Sequence, residues 1–181
     1  MTNASFRDDL AAEGEPEKEF NPGIASRLPR KTTAGGALIR NREGLILFLE
    51  PTYKPTLEIP GGVAEQNESP LDACRREVRE EIGLDIEIGG LLVVDWVPAQ
   101  GVWFDGLMFI FDGGVLGDDQ IAQIKTDPSE ASGYEFMTLE RASESLRPSM
   151  TRRLAAASAA LGGVSMAYAE FGRPASSGLS G

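Results

Sequence analysis

The stretch that decides the fold is residues 62–84, which read GVAEQNESPLDACRREVREEIGL. A short polar loop comes first, and an Arg-Glu-rich segment that ends in Gly-Leu follows. Ser69 is a favoured N-cap residue, and Pro70 suits the first position of a helix. Gly83 can close the other end in the left-handed conformation. The sequence therefore predicts one helix of about four turns between Ser69 and Gly83.

Helical periodicity, at about 100° per residue, divides this segment into three faces. The apolar face, which we expect to pack on the core, comprises Leu71, Cys74, Val78 and Ile82. One flank carries carboxylates and comprises Glu77, Glu80 and Glu81. The other flank carries guanidinium groups and comprises Arg75, Arg76 and Arg79. A helix stabilised by surface ion pairs would mix the two signs, so this separation requires another explanation.

The acidic flank predicts a site for a divalent metal ion. Glu77 and Glu81 are four residues apart, and like charges at that spacing cost roughly a few tenths of a kcal/mol. A bound Mg²⁺ or Mn²⁺ would relieve the repulsion, and both ions prefer hard oxygen ligands. The alternative is a solvated acidic face, which is the usual interpretation of such a helix. The spacing of the helix from Gly62 and Glu68 favours the metal site.

Residues 62–84 resemble, at every fixed position, the signature of the Nudix hydrolases, the Nudix box. Those enzymes use divalent metal to hydrolyse a diphosphate linked to another moiety, X. The resemblance is complete over the box and looser over residues 32–161. It implies an α/β protein, with the helix of the box packed against a mixed β-sheet in a Nudix-type α/β/α sandwich.

The resemblance also implies a role for each fixed residue. The implied metal ligands are Glu77, Glu80 and Glu81, together with a backbone carbonyl near Gly61. Arg76 would orient Glu77, and Glu68 would hold Arg76 through a salt bridge. The implied structural support of the site comes from Gly62, Glu68 and Gly83.

Two positions outside the fixed pattern bear on the site. Many members of the family carry glycine where this chain has Asn67, and asparagine is the non-glycine residue that best tolerates a left-handed backbone, so we expect the loop to keep its shape. Many relatives also recruit a further glutamate from a loop before a late strand. Glu130 is the better candidate and Glu135 the alternative, although each could be an ordinary surface carboxylate. The catalytic proton acceptor could be Glu77, Glu81 or Glu130, and the sequence does not choose.

Composition restricts the classes of function. The net charge of −11 argues against a protein that binds duplex nucleic acid, which needs a basic face. A bound metal ion would reverse the local sign and admit a small anionic nucleotide. Histidine is absent, which excludes His-ligated zinc and a Ser-His-Asp triad within this chain. Cys74 is the single cysteine, so no intrachain disulfide can form, and a cytoplasmic location is expected. No apolar run suits a membrane span, and the N-terminal residues do not resemble a signal peptide.

The chain is expected to form one domain with two flanking segments. The predicted parts are a flexible acidic N-terminal arm at 1–30, the Nudix domain at 31–162 and a C-terminal tail at 163–181. Strands are expected at 32–40, 45–49, 57–60, 85–97, 102–112, 119–125 and 133–138, and further helices at 140–146 and 149–161.

The box leaves the moiety X open. ADP-ribose, nucleotide sugars and (deoxy)nucleoside triphosphates all remain candidates. Trp103, flanked by Gly101 and Gly106, is the better candidate for an exposed surface that stacks on a base, whereas Trp96 is assigned to the core. The alternative function is a non-catalytic Nudix-like domain that senses a nucleotide or metabolite. Such domains usually lose box glutamates, and this chain keeps them all. Analogy with the family suggests a homodimer.

Overall fold

The computed structural model describes residues 12–15, 18–163 and 165–175, and these described residues divide after Arg30 into two compact units. In the first unit, one helical turn, α1 (Ile24–Arg27), follows Gly23. The Glu19 carboxylate accepts hydrogen bonds from the backbone N–H groups of Gly23 and Ala25, at 2.6 and 3.0 Å. The predicted flexible arm falls partly on residues 1–11 and 16–17, outside the described residues.

The second unit is built on one mixed sheet of eight strands. The strands are β1 (Thr32–Arg40), β2 (Ile46–Pro51), β3 (Gly61–Val63), β4 (Leu91–Val97), β5 (Gly106–Val115), β6 (Ala131–Met137), β7 (Ala167–Glu170) and β8 (Arg173–Pro174). Their order is β6-β2-β1-β5-β4-β7-β8, and β3 pairs with β1. The pairs β1–β5 and β4–β7 are parallel, and the others are antiparallel.

Helices cover both faces of the sheet. The helices of this unit are α2 (Pro70–Ile82), α3 (Asp118–Ile121), α4 (Leu139–Ala142) and α5 (Pro148–Leu161). On β1, Leu38 belongs to the same core cluster as Leu154 of α5, whereas Ile39 belongs to the cluster of Val78 on α2. Alternate side chains of a strand point to opposite faces, so the sheet lies between the two helices. The predicted α/β/α sandwich with a mixed sheet is confirmed.

Four predicted strands differ from the structure. The strand predicted at 57–60 is reduced to one isolated bridge between Leu49 and Glu58, and the strand predicted at 102–112 begins only at Gly106. Residues 119–125 contain no strand, because Asp118 and Asp119 begin α3, and the Gln120 side chain accepts a 3.1 Å hydrogen bond from the backbone of Gly117. The strand predicted at 85–97 begins only at Leu91. The chain before it is irregular, and its backbone hydrogen bonds to β5 are made with Asp112, whose N–H donates to the Gly90 carbonyl and whose C=O accepts from the Gly89 N–H.

The segment expected to be a C-terminal tail, 163–181, contributes two strands to the sheet. β7 pairs in parallel with β4, with Ala167 opposite Val93, and β8 folds back on β7. Ala169 is fully buried and Tyr168 is half exposed, so the short alternating run Ala-Tyr-Ala-Glu covers the β4 edge. The expectation that the domain ends at residue 162 is therefore wrong for residues 167–174. Residues 176–181 lie outside the described part.

Every helix among the described residues is too short or too polar to cross a bilayer.

Candidate active site

Helix α2 presents its carboxylates because both of its ends and its apolar face are fixed. The Ser69 hydroxyl accepts a 3.1 Å hydrogen bond from the Asp72 backbone, and Gly83 ends the helix with φ of 70°. Cys74, Val78 and Ile82 are buried, as the periodicity predicted, and Leu71 packs against the same cluster. Burial raises the pKa of the Cys74 thiol to about 12, so this side chain is a neutral core residue.

Arg76 is the centre of the charge network on the exposed side of α2. Its Nε and Nη2 donate to the two carboxylate oxygens of Glu68, at 2.9 and 3.0 Å. Its Nη1 donates to Glu77 Oε1 at 2.7 Å and to Glu80 Oε2 at 3.0 Å. A further bond of 3.2 Å from Nη2 to the Val63 carbonyl ties the group to β3. The structure thus contains both contacts that the resemblance implied for Arg76.

The arginine lies among the carboxylates, and not on a separate flank. The hydrogen bond to Arg76 is the main cause that lowers the pKa of Glu68, and the same bond raises the pKa of Arg76. Glu80 follows Arg76 by four residues and therefore lies on the same side of the helix. The expected separation of signs is wrong at this position, because the length of the arginine side chain lets it reach across the helix surface.

Glu81 is the most perturbed carboxylate of the site. Its Oε2 accepts a 2.8 Å hydrogen bond from the backbone N–H of Gly61, at the start of β3. Burial is the main cause that raises its pKa to about 8, and the negative charges of Glu77, Glu58 and Glu130 add to the effect. A carboxylate with three like-charged neighbours needs either a proton or a cation.

The Gly61–Gly62 pair allows β3 to lie between β1 and α2. A Cβ on Gly61 would lie 2.4 Å from the Gly35 carbonyl, and Gly61 has φ of 148°. A Cβ on Gly62 would lie 2.4 Å from Glu77 Oε1. The first contact would displace backbone, and the second would displace the carboxylate of Glu77. Asn67, with φ of 65°, adopts the left-handed conformation that its loop was predicted to require.

A cavity of about 650 Å³ opens beside this carboxylate cluster. The predicted site residues that line it are Gly61, Gly62, Glu77, Glu81, Trp103 and Glu130. The predicted site residues that do not line it are Glu68, Arg76, Glu80 and Gly83. Trp103 is 68% exposed at the mouth, whereas Trp96 is half-buried and donates a 3.3 Å hydrogen bond to Asp105. Glu135, the alternative to Glu130, pairs instead with Arg141 at 2.8 Å.

Three charged lining residues, Lys54, Glu58 and Arg153, were not predicted. Glu58 forms an ion pair with Lys54, and both line the cavity. The sequence does indicate this position, because apolar and polar residues alternate in Leu57-Glu-Ile59. The carboxylate of Glu58 therefore points away from the core, just before Gly61. Arg153 lies on α5, where helical spacing from the core-packing residues Met150, Leu154 and Ala157 turns it inward.

The donor set fits a hard divalent cation. Each of Glu77, Glu80 and Glu81 uses one oxygen in the contacts above, and the second oxygen accepts no hydrogen bond from the described residues. Carboxylate oxygens of this kind are the ligands that Mg²⁺ and Mn²⁺ prefer. Within the described ranges, these carboxylates do not converge on one point as a finished cage. Rotation of the free oxygens would be needed to complete a coordination shell.

Comparison with known proteins agrees with this geometry. A family model described as NUDIX domain matches residues 29–158. The chain is 27% identical over 117 residues to an RNA pyrophosphohydrolase of Hydrogenovibrio crunogenus, over 56% of this chain and 70% of the relative. It is 30% identical over 88 residues to a MutT-like protein of Streptomyces ambofaciens, over 49% of this chain and about half, 53%, of the relative. A solved UDP-X diphosphatase has a TM-score of 0.62 at 16% identity, over 92% of this chain and 83% of that one, which is a likeness of fold.

Proposed function

This chain belongs to the NUDIX domain family, and we propose that it is a divalent-metal-dependent hydrolase that cleaves the diphosphate linkage between a nucleoside diphosphate and a moiety X. The observation that carries the proposal is the position of Glu81. Its carboxylate is partly buried, bonded to the backbone of Gly61 and surrounded by other carboxylates at the edge of a cavity large enough for a nucleotide.

Glu77, Glu80 and Glu81 would hold the metal ions, with the carbonyl near Gly61 as a further ligand. When bound, such ions neutralise phosphate charge and lower the pKa of a water molecule. Arg76 holds one oxygen of both Glu77 and Glu80 and so orients their second oxygens, and Glu68 holds Arg76.

Glu130 is assigned as the proton acceptor for the attacking water. It lines the cavity and lies close enough to Glu81 to raise the pKa of that group. Glu77 and Glu81 remain chemical alternatives, but metal ligation would draw electron density from their oxygens and weaken them as bases. Trp103, exposed at the mouth of the same cavity, is suited to stack on the base of the nucleotide.

The test is a panel of nucleoside-diphosphate sugars, ADP-ribose, nucleoside triphosphates and dinucleoside polyphosphates, assayed with Mg²⁺ and Mn²⁺ for released phosphate or nucleoside monophosphate. We expect at least one substrate to be hydrolysed and Glu81→Gln to lose at least about a hundredfold in rate. Glu87→Gln, which changes an exposed glutamate outside the cavity, is the matched control. Tight nucleotide binding without hydrolysis by the wild type would support the non-catalytic sensing domain instead.

A further inference from the structure

A buried ion pair lies beside the cavity, and its arginine is one of the lining residues. Asp95 of β4 is fully buried, and the side chain of Arg153 on α5 is 8% exposed. Arg153 Nε donates to Asp95 Oδ2 at 2.6 Å, and the backbone N–H of Gly172 donates to Asp95 Oδ1 at 2.8 Å. Both oxygens of Asp95 are therefore satisfied, and the guanidinium is held in one orientation through its Nε edge.

The other edge of the guanidinium faces the cavity. Arg153 Nη1 lies 3.6 Å from the sulfur of Met150, a weak acceptor, and both residues line the cavity. Arg153 Nη2 has no acceptor among the described residues. It is also not fully buried, because in the described part of the chain only Arg40 Nε is a buried side-chain atom without a partner. Two N–H groups are thus presented to whatever enters the cavity.

The surface beside these donors is flat and apolar. Met108 of β5 lies directly opposite Asp95 in the antiparallel pair β4–β5, so both side chains project from the same face of the sheet. Ala34 of β1 pairs with Met108 from the other side, and Gly36 follows two residues later. Ile59 covers the Gly36 position, whereas Ala34 has only a methyl group, so a planar ring can lie over Ala34 beside Met108. Trp103 stands at the mouth of the same cavity.

We propose that Arg153 is a specificity-determining residue that selects a keto-purine base, of the guanine type, in the substrate. The proposal rests on the proposed function for the identity of the bond that is cleaved, and it adds the class of nucleotide. The ion pair with Asp95 cancels the charge of the guanidinium, so the site is suited to a neutral acceptor and not to a further phosphate.

Guanine presents two adjacent acceptors, O6 and N7, which match a pair of guanidinium N–H groups. Adenine presents N7 beside an amino donor, and arginine has no acceptor to offer that group. With adenine, one N–H group of Arg153 would face the adenine amino group, which is also a donor, and the two could not form a hydrogen bond. A uracil ring carries two carbonyls, O2 and O4, but the N3–H donor lies between them, so it presents no adjacent pair of acceptors and is expected to bind with intermediate affinity.

The test is calorimetric titration of the full chain with GMP, 7-deaza-GMP and AMP in the presence of Mg²⁺. We expect GMP to bind at least about tenfold more tightly than AMP, and 7-deaza-GMP to lose part of that advantage because it lacks N7. This ligand series needs no variant and tests the proposal on the native protein. Equal affinity for GMP and AMP, or no measurable binding of either, overturns it.

The double variant Asp95→Asn/Arg153→Gln removes both charges without leaving one of them buried alone. We expect it to bind GMP and AMP within about twofold of each other. The matched control is Arg147→Gln, since Arg147 is an exposed residue just before α5 and does not line the cavity. It should keep the wild-type preference. A folded double variant that still prefers GMP overturns the proposal.

The two proposals fail in different ways. Hydrolysis of diphosphate substrates with no preference for guanine would remove the role of Arg153 and leave the hydrolase intact. A guanine preference that depends on Arg153, in a protein that hydrolyses nothing, would remove the hydrolase and leave the base site.

Discussion

Glu81 and Gly61 are joined by a 2.8 Å hydrogen bond from the backbone N–H of Gly61 to Oε2 of Glu81, which fixes a carboxylate of helix α2 to the first residue of strand β3. The bond holds this oxygen in place, while burial and three neighbouring carboxylates work against its charge. The raised pKa of Glu81 is the net result of these opposing effects.

Metal-free protein should lose stability as the pH rises. The folded pKa of Glu81 is about 8, against an ordinary value of 4.5, so the folded state binds this proton more tightly than the unfolded state. The contribution is fully present below about pH 4.5 and is lost as the pH rises through about 8. The midpoint of thermal unfolding, measured in EDTA across this range, should fall more steeply in the wild type than in Glu81→Gln. Glu87→Gln should follow the wild type, and parallel curves for all three proteins would contradict the assignment.

Alanine at two glycines should separate function from folding. Gly62→Ala places a Cβ 2.4 Å from Glu77 Oε1 and should reduce kcat at least about tenfold with little change in unfolding temperature, since a side chain can move aside. Gly35→Ala places a Cβ 1.9 Å from the Pro70 carbonyl and should destabilise the fold by about 1–3 kcal/mol or more, because backbone must move.

The control for both glycine variants is Gly90→Ala, whose Cβ would meet nothing within 4 Å. It should be close to the wild type in both activity and thermal unfolding. If Gly62→Ala retains full activity, Glu77 is not held where the structure places it.

Arg76→Lys should impair catalysis despite the conserved charge. Lysine cannot reproduce the paired bonds to the two oxygens of Glu68 while also bonding Glu77 and Glu80. We expect kcat to fall about 10–100-fold, as for other residues that orient metal ligands, with weaker Mg²⁺ activation. Arg75→Lys is the control, because among the described residues Arg75 pairs with Asp72 alone, at 3.3 Å on the helix surface. Equal effects of the two variants would refute the positioning role of Arg76.

Glu130→Gln and Glu135→Gln should differ. Glu130 lines the cavity, whereas Glu135 pairs with Arg141. Loss of a general base typically costs about 10²–10⁴-fold in rate, and we expect that cost only for Glu130→Gln. The pH dependence of kcat should change in the same variant. A normal rate for Glu130→Gln would return the role to Glu77 or Glu81.

Truncation should show that β7 and β8 belong to the domain. A chain ending at residue 162 lacks the Gly172 N–H that bonds Asp95, and an unsatisfied buried acceptor costs about 1–3 kcal/mol. It also exposes the edge of β4. A chain ending at residue 175 keeps both features and should unfold at the wild-type temperature in a thermal scan. Equal stability of the two truncations would contradict the contribution of these strands.

Much of the catalytic helix could be predicted from local sequence, because its information is local. Ser69, Pro70 and Gly83 define its ends, and the 3.6-residue period defines its buried face. The left-handed Asn67 follows from the same kind of rule. The short strands and α3 were harder, since Gly-rich and Asp-rich segments carry little periodicity.

The Asp95–Arg153 pair could not be predicted, because it joins residues 58 positions apart through the packing of α5 on β4. Helical spacing indicates that Arg153 points inward, but not which group receives it. Strand β7 was missed for a related reason, since four residues with one fully buried alanine give a weak pattern until the free edge of β4 is known.

Because Arg76 bonds Glu77 and Glu80, these proposed metal ligands are partly ordered when the protein folds, before any ion binds. Part of the rotational freedom of these side chains is lost when the protein folds, so less ordering entropy remains to oppose the binding of an ion. Ion affinity should consequently depend on a salt bridge, Glu68–Arg76, that itself never touches the ion. A substitution at Glu68 would therefore weaken ion binding even in a chain that keeps Glu77, Glu80 and Glu81.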